Sequence, residues 1–168
     1  MIKEIMTRRS IRKFTTDNVD DRVIRQIVEM GTWAPSGHNN QPWKFVVVRD
    51  RDIREKLSKK TRFSKIIESA PVLIAVFLDS SLQYDRVKDI QAVGACIQNM
   101  LLTIHHLGLG GVWMGEILKN RESVEKILAV PDTCELMAVI ALGYPAQMRE
   151  GSRKPVGETI IHWMDGDA

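Results

Sequence analysis

The chain has 168 residues, 44% of them apolar and 27% charged, and a net charge of +3 from 24 basic and 21 acidic side chains. Those proportions exclude a disordered chain and predict a single domain over residues 1–168, large enough to bury a core; the charge is too mild to mark a nucleic-acid binder. No segment offers the ~20 continuous apolar residues of a membrane span, and MIKEIMTRRS lacks the apolar core of a signal peptide, which predicts a cytoplasmic protein.

Residues 2–8 predict a short amphipathic helix with Ile2, Ile5 and Met6 on one side. Overlapping its end, TRRSIRKF (7–14) gathers Arg8, Arg9, Arg12 and Lys13. Such a segment is a solvated basic stretch, an anion site, or a nucleic-acid patch. For an anion, guanidinium forks grip a phosphate and Ser10 adds a hydroxyl donor. For a nucleic acid, only Phe14 is at hand to stack on bases.

Asp20 is a helix cap, and Val23, Ile24, Ile27, Val28 and Met30 follow it at helical spacing, with Gly31 as the predicted stop. The loop WAPSGHNNQPW (33–43) is rich in neutral amides. Asn39, Asn40 and Gln41 can each donate and accept hydrogen bonds, which matches a ring edged with carbonyls and N–H groups. Pro35 and Pro42 stiffen its two ends.

KFVVV predicts a buried strand and RDIREKLSKKT an exposed charged helix. PVLIAVFLD (71–79) is apolar on both faces, so it belongs in the middle of a sheet covered by helices. DIQAVGACIQNMLLTIHHLGL predicts a long helix with a stripe of Ile90, Val93, Ile97, Leu101 and Ile104. Ala92, Gly94, Ala95 and Cys96 make its first half small, suiting close approach of another backbone, a subunit boundary among the options. GVWMG (111–115) predicts an extended piece, RESVEKILAV a helix and ELMAVIALGYP a buried strand. The tail from 151 is polar apart from TIIHW and carries a second cationic group, Arg153 with Lys154.

Several site readings fail. HHLGLGG (105–111) is no dinucleotide fingerprint, because Trp113 stands where a glycine is needed and the glycines follow a helix, which makes Gly108 a helix C-cap. His38, His105, His106 and His162 have no metal-ligand spacing, and Cys96 and Cys134 read as buried reduced thiols, so no metal is expected. No nucleophile elbow surrounds Ser36. Two basic clusters flanking an amide-rich loop suggest a ligand with an anionic end and a heteroaromatic end.

In chain order, RRSIRKF, APSGHNNQPWKF, GLGGVWMG, LGYP and SRKP resemble the nitroreductase-like flavoproteins over nearly the whole chain. The resemblance implies an α+β fold of three layers, with a central mixed β-sheet flanked by helices. It also implies an intertwined homodimer, with the 151–168 tail reaching the partner, and FMN at the dimer interface. Arg8, Arg9, Ser10 and Arg12 match the opening FMN-binding segment. Pro35, Ser36, Gly37, Asn39 and Gln41 match the loop that packs on the flavin ring, partly from the partner. Lys65 matches a cation near the ring's pyrimidine oxygens, and the backbone of Met114 and Gly115 the segment facing its reactive edge. Arg153, with Lys154, matches the late phosphate contact.

No side chain is expected to serve as catalytic acid or base, because a flavin does its own redox chemistry. The implied cycle is ping-pong. NAD(P)H reduces FMN and leaves, and an electron-poor small molecule such as a nitroaromatic or quinone takes the electrons. Alternatives on the same fold are a flavin store or sensor, and a flavin-consuming or dehalogenating relative. Only SSLQYDRV separates the central strand from the long helix, where many relatives insert helices, so the cover over the flavin is expected to be thin.

Overall fold

The computed structural model describes residues 2–164. Strand β2 (Val72–Asp79) is buried along its whole length. It pairs antiparallel with β1 (Trp43–Val48) on one side and β4 (Cys134–Gly143) on the other, and β4 pairs antiparallel with the edge strand β3 (Gly110–Met114). The sheet order is β1-β2-β4-β3. Successive side chains of a strand point to opposite faces. Val72, Ile74, Val76 and Leu78 therefore join one apolar cluster with residues of α2 (Asp21–Thr32) and α5 (Arg86–His106). Leu73, Ala75 and Phe77 join another with residues of α3 (Arg51–Ser58), α4 (Ser64–Ser69) and α6 (Arg121–Leu128). Helices thus cover both faces, which explains why β2 carries no polar alternation.

The mixed sheet expected from the resemblance is corrected within this chain. The named strands pair antiparallel throughout, and among the described residues the parallel pairing is the isolated Ser10–Gly111 bridge. Two helical pieces in succession, α3 then α4, or the 3-10 turn at 116–120 then α6, return the chain to the end it left. A single crossover helix would have made the next strand parallel.

Asp20 caps α2 as expected, its Oδ1 accepting from the Arg22 N–H at 2.7 Å. The helix runs on past Gly31, however, because this glycine serves packing and not termination. A Cβ there would lie 2.6 Å from Met100 Cγ and 3.1 Å from Cys96 Sγ, so its absence lets α2 press against the small-residue half of α5. Helix α5 begins before the predicted Asp89, because Asp85 caps it by accepting from the Lys88 N–H at 3.0 Å. Its far end closes as predicted: Gly108 adopts φ 74°, and Leu109 N–H donates to Ile104 O at 3.0 Å. Both cysteines are buried and free, and burial pushes the Cys96 thiol up to about 12.

Helix α1 (Lys3–Thr7) leaves Ile2, Ile5 and Met6 exposed and attaches instead by polar contacts at the end of α5. Thr7 Oγ1 and His105 Nε2 lie 2.7 Å apart, and His106 Nδ1 meets Glu4 Oε1 at 3.0 Å. Helix α4 has no counterpart in the sequence reading. Its six residues bury Ile66 and Ile67 with no side-chain cap, too short a run to register a helical period.

Candidate functional site

The two ends of the chain meet. Arg9 Nη2 donates to Gly151 O at 3.2 Å across 142 residues, and a Cβ on Gly151 would stand 3.0 Å from Arg9 Nε. Nη1 of Arg9 donates to Met6 O and Arg8 O, both at 2.8 Å, while its Nε is buried without a partner. Arg8 is half-buried beside Arg153. Burial, then the charges of Arg153 and Arg9, hold the Arg8 guanidinium below the ordinary arginine range. Three like charges thus converge with an unpaired donor among them. An anion placed beside Arg8 would relieve that repulsion, whereas Arg9 Nε itself is covered by the backbone at Gly151.

The chain then runs along the sheet edge. Ser10 bridges Gly111, Ile11 N–H donates to Gly111 O at 3.1 Å, and a Cβ on Gly110 would strike Ile11 at 2.7 Å. Phe14 bridges Pro145, and Thr15 N–H donates to Tyr144 O at 2.9 Å. Arg12, exposed, lines a small cleft with Phe63, Ile66, Met114 and Gly115. Met114 is buried, whereas a Cβ on Gly115 would meet nothing within 4 Å, so its backbone borders open space. Glu116 closes this cleft and is spoken for: it accepts from Thr61 Oγ1 at 2.6 Å and from Arg62 N–H at 3.2 Å. The Thr61 bond, then the Arg62 N–H, Lys119 and Arg62, hold its carboxyl low against a smaller opposing effect of burial. Lys65 is exposed on α4 next to Ile66 but does not line the cleft, and Lys154 is exposed in the tail.

The amide loop lies elsewhere. His38, Asn39 and Gln41 adopt φ values of 51°, 56° and 47°, a left-handed backbone that costs non-glycine residues roughly 1–3 kcal/mol each. Such strain needs local bonding to hold it. Asn39 N–H donates to Ser36 O, Asn40 N–H to Gly37 O and Gln41 N–H to Ser36 Oγ, all at 3.0–3.1 Å. Asn40, read from sequence with its neighbours as a contact for a ring, points instead into the protein. Its Nδ2 donates to Leu82 O at 3.0 Å and to Asp89 Oδ1 at 2.8 Å. Pro35, Ser36 and Gly37 line an open groove with Lys88, Gln91, Ala92 and Ala95 of α5. Asn39 and Gln41 are exposed.

Within one chain, then, Asp89 holds the loop near the start of α5 while Arg8 sits by His105 at its end. Sixteen residues of helix separate these points, about 24 Å at 1.5 Å per residue. Sequence reasoning missed Asp89 and Tyr84. Asp89 stands where an ordinary solvated helix residue would, and no pattern signals its burial.

The chain matches the model of the Nitroreductase family over residues 5–63 and 58–144. A protein of Methanothermobacter thermautotrophicus, provisionally named NADH dehydrogenase/NAD(P)H nitroreductase, is 37% identical over 96% of this chain and 85% of its own. A nitroreductase of Desulfovibrio desulfuricans, also provisionally named and crystallised in complex with FMN, superposes with a TM-score of 0.93 at 44% identity, covering 96% of this chain and 95% of its own. The NADPH:FMN oxidoreductase of Vibrio harveyi, crystallised with NAD+, superposes with a TM-score of 0.88 at 25% identity, covering 99% of this chain and 78% of its own. Among the described residues no helix is long and apolar enough to cross a membrane, and no group of His, Cys, Asp or Glu has the arrangement of a metal site.

Proposed function

The chain belongs to the nitroreductase family, and from that premise we propose that it is an FMN-dependent oxidoreductase acting as a homodimer, passing electrons from NAD(P)H to an electron-poor small molecule. The observation that carries the reading is the convergence of the Arg9 and Arg153 charges on the half-buried Arg8, a fit for a terminal phosphate. Ser10 supplies a hydroxyl beside it. Bound there, FMN supplies the two-electron redox chemistry itself.

The remaining parts follow from the distance along α5. The arginine end of one copy needs an amide loop from elsewhere, and a two-fold axis crossing the middle of α5 sets the 35–41 loop of one copy beside the arginines of the other. Gly94 and Ala95 near the middle of that helix are only partly covered, and Trp33, which ends α2 just before the loop, is 76% exposed. The tail supports the same pairing. Val156, Ile161, Trp163 and Met164 project apolar side chains that their own domain leaves uncovered, as expected of an arm that wraps a partner. Residues 165–168 of that arm lie outside the described residues.

In this arrangement each group of the chain has a positioning task. Arg8, Arg9 and Arg153, with Lys154 nearby, hold the phosphate, while Ser36, Gly37, Asn39 and Gln41 of the other copy meet the ring, with Pro35 stiffening the loop. Arg12 and the backbone of Met114 and Gly115 line the cleft at the reactive edge, and the open space at Gly115 admits a substrate. Lys65 adds positive charge on the helix flanking that cleft. No titrating side chain is assigned to proton transfer, and the one carboxylate in the cleft, Glu116, is held ionised by its partners.

The test is direct. The purified chain should bind FMN, turn yellow, and bleach anaerobically when NADH or NADPH is added. A chain that takes up no FMN defeats the reading, and one that binds FMN without bleaching is a flavin store.

A further inference from the structure

Asp89 has no exposed surface, yet it carries a carboxylate with both oxygens in use. Oδ1 accepts from Asn40 Nδ2 at 2.8 Å, and Oδ2 accepts from the Tyr84 and Asp85 N–H groups at 2.7 and 2.9 Å. These bonds tie two separate stretches to one point. The first is the strained loop, since Asn40 sits between the left-handed Asn39 and Gln41. The second is the turn carrying Tyr84, whose ring packs back on the same loop. A Cβ on Gly37 would lie 2.7 Å from Tyr84 Cδ1, and the His38 ring meets the Tyr84 ring edge-on at a centroid distance of 4.4 Å.

We propose that Asp89 is a positioning residue: its carboxylate clamps residues 36–41 directly, through Asn40, and indirectly, through the turn that seats the Tyr84 ring on Gly37 and His38, so that the backbone and amides of the loop are presented in one conformation to the flavin ring. The inference rests on the flavin reading for what the loop meets, and on this chain's hydrogen bonds for the clamp itself. Burial works against the charge of Asp89, but the Asn40 side chain, the Tyr84 and Asp85 N–H groups and Lys88 outweigh it, and the carboxyl is held low. A charged acceptor is required because every partner facing it is a donor. An amide in its place sets an N–H₂ group against an N–H, or obliges the Asn40 amide to turn over and give up its bond to Leu82 O.

The experiment compares Asp89→Asn and Asn40→Ala with the unaltered full-length chain, reading riboflavin and FMN affinity together with hydrogen exchange over residues 36–41. Each variant should weaken riboflavin and FMN by the same factor, about tenfold, the size of one buried charge-assisted hydrogen bond. Exchange at the Asn39, Asn40 and Gln41 amides should accelerate. The double variant should be no weaker than Asp89→Asn alone, because both changes cut one clamp. A general loss of fold would instead accelerate exchange in β2 and β4 as well, and if Asp89→Asn does not fold, Asn40→Ala carries the same expectations. Unchanged affinity and unchanged loop exchange overturn the proposal. If the unaltered chain binds neither flavin, the flavin reading falls by itself, and the loop exchange still decides whether Asp89 is the clamp.

Discussion

The two ends of α5 are built on opposite plans. At its C-terminal end, the charges of arginines drawn from both ends of the chain converge on Arg8, with Arg9 fixed by bonds to backbone carbonyls and its Nε left an orphan donor. At its N-terminal end, a loop of uncharged side chains is knitted by Ser36, Asn40 and Asp89 into a backbone with three left-handed residues. On the flavin reading proposed above, the difference follows from what each plan would have to recognise. A phosphate is found by charge at a distance, so its partners tolerate loose placement before binding. The edge of a neutral ring is recognised by directional hydrogen bonds alone, which fall away steeply with misalignment, so its partners must be set beforehand.

The sharpest way to break this contrast is to strip the charge from one end. The Arg8→Ala, Arg153→Ala double variant should lose FMN affinity by roughly a hundredfold or more, since bonds to charged groups contribute about 1.5–3 kcal/mol each. Riboflavin, which lacks the phosphate, should bind the variant as it binds the unaltered chain. Equal losses for both ligands would mean that the arginines hold up the fold and do not read the phosphate.

Salt probes the same division more gently. Raising ionic strength from about 50 to 500 mM should weaken FMN several-fold, because the arginine cluster is half-open to solvent and screened. Riboflavin, held by the amide end, should barely respond in the same titration.

The two plans were also unequally legible in the sequence. The cationic end announces itself, because RRSIRK and SRKP are dense in charge, and the structure brings Arg8, Arg9 and Arg153 of the two segments together. The long-range fact that they meet is a product of the antiparallel sheet, which no local pattern encodes. At the other end the sequence displays the amides but not their direction. Asn39, Asn40 and Gln41 look alike in a row, and only the left-handed backbone at Asn39 and Gln41 turns Asn40 inward to a buried acid. Elements with strong signals came through: the apolar β2, the Asp20 cap, the Gly108 stop. Gly31 did not, because a glycine that ends a helix and one that lets two helices touch look identical without the partner helix. Neither did α4, whose stability comes from burying Ile66 and Ile67 beneath α3 and the sheet and not from any propensity of SKIIES.

The smallest expected effect separates the ends by pH. His105 lies beside the arginine cluster, and burial, then Arg8, with Arg9 and Lys3 adding and Glu4 opposing, hold its imidazole below the ordinary value. The folded chain therefore binds fewer protons there than the unfolded chain once pH falls below about 6.5, and stability declines with acidification through that window. A phosphate seated between Arg8 and Arg153 cancels part of their repulsion and must raise the His105 pKa. Proton NMR of the imidazole should show this upward shift with FMN and none with riboflavin. At the other end Asp89 is held low, so the clamp it makes is complete above about pH 4 and is lost only as pH drops through its lower folded value. Riboflavin affinity should accordingly stay flat between about pH 5 and 8, while the His105 signal moves. If riboflavin shifts His105 as far as FMN does, the phosphate is not beside Arg8, and the assignment of charge to one end and amides to the other fails at its most sensitive point.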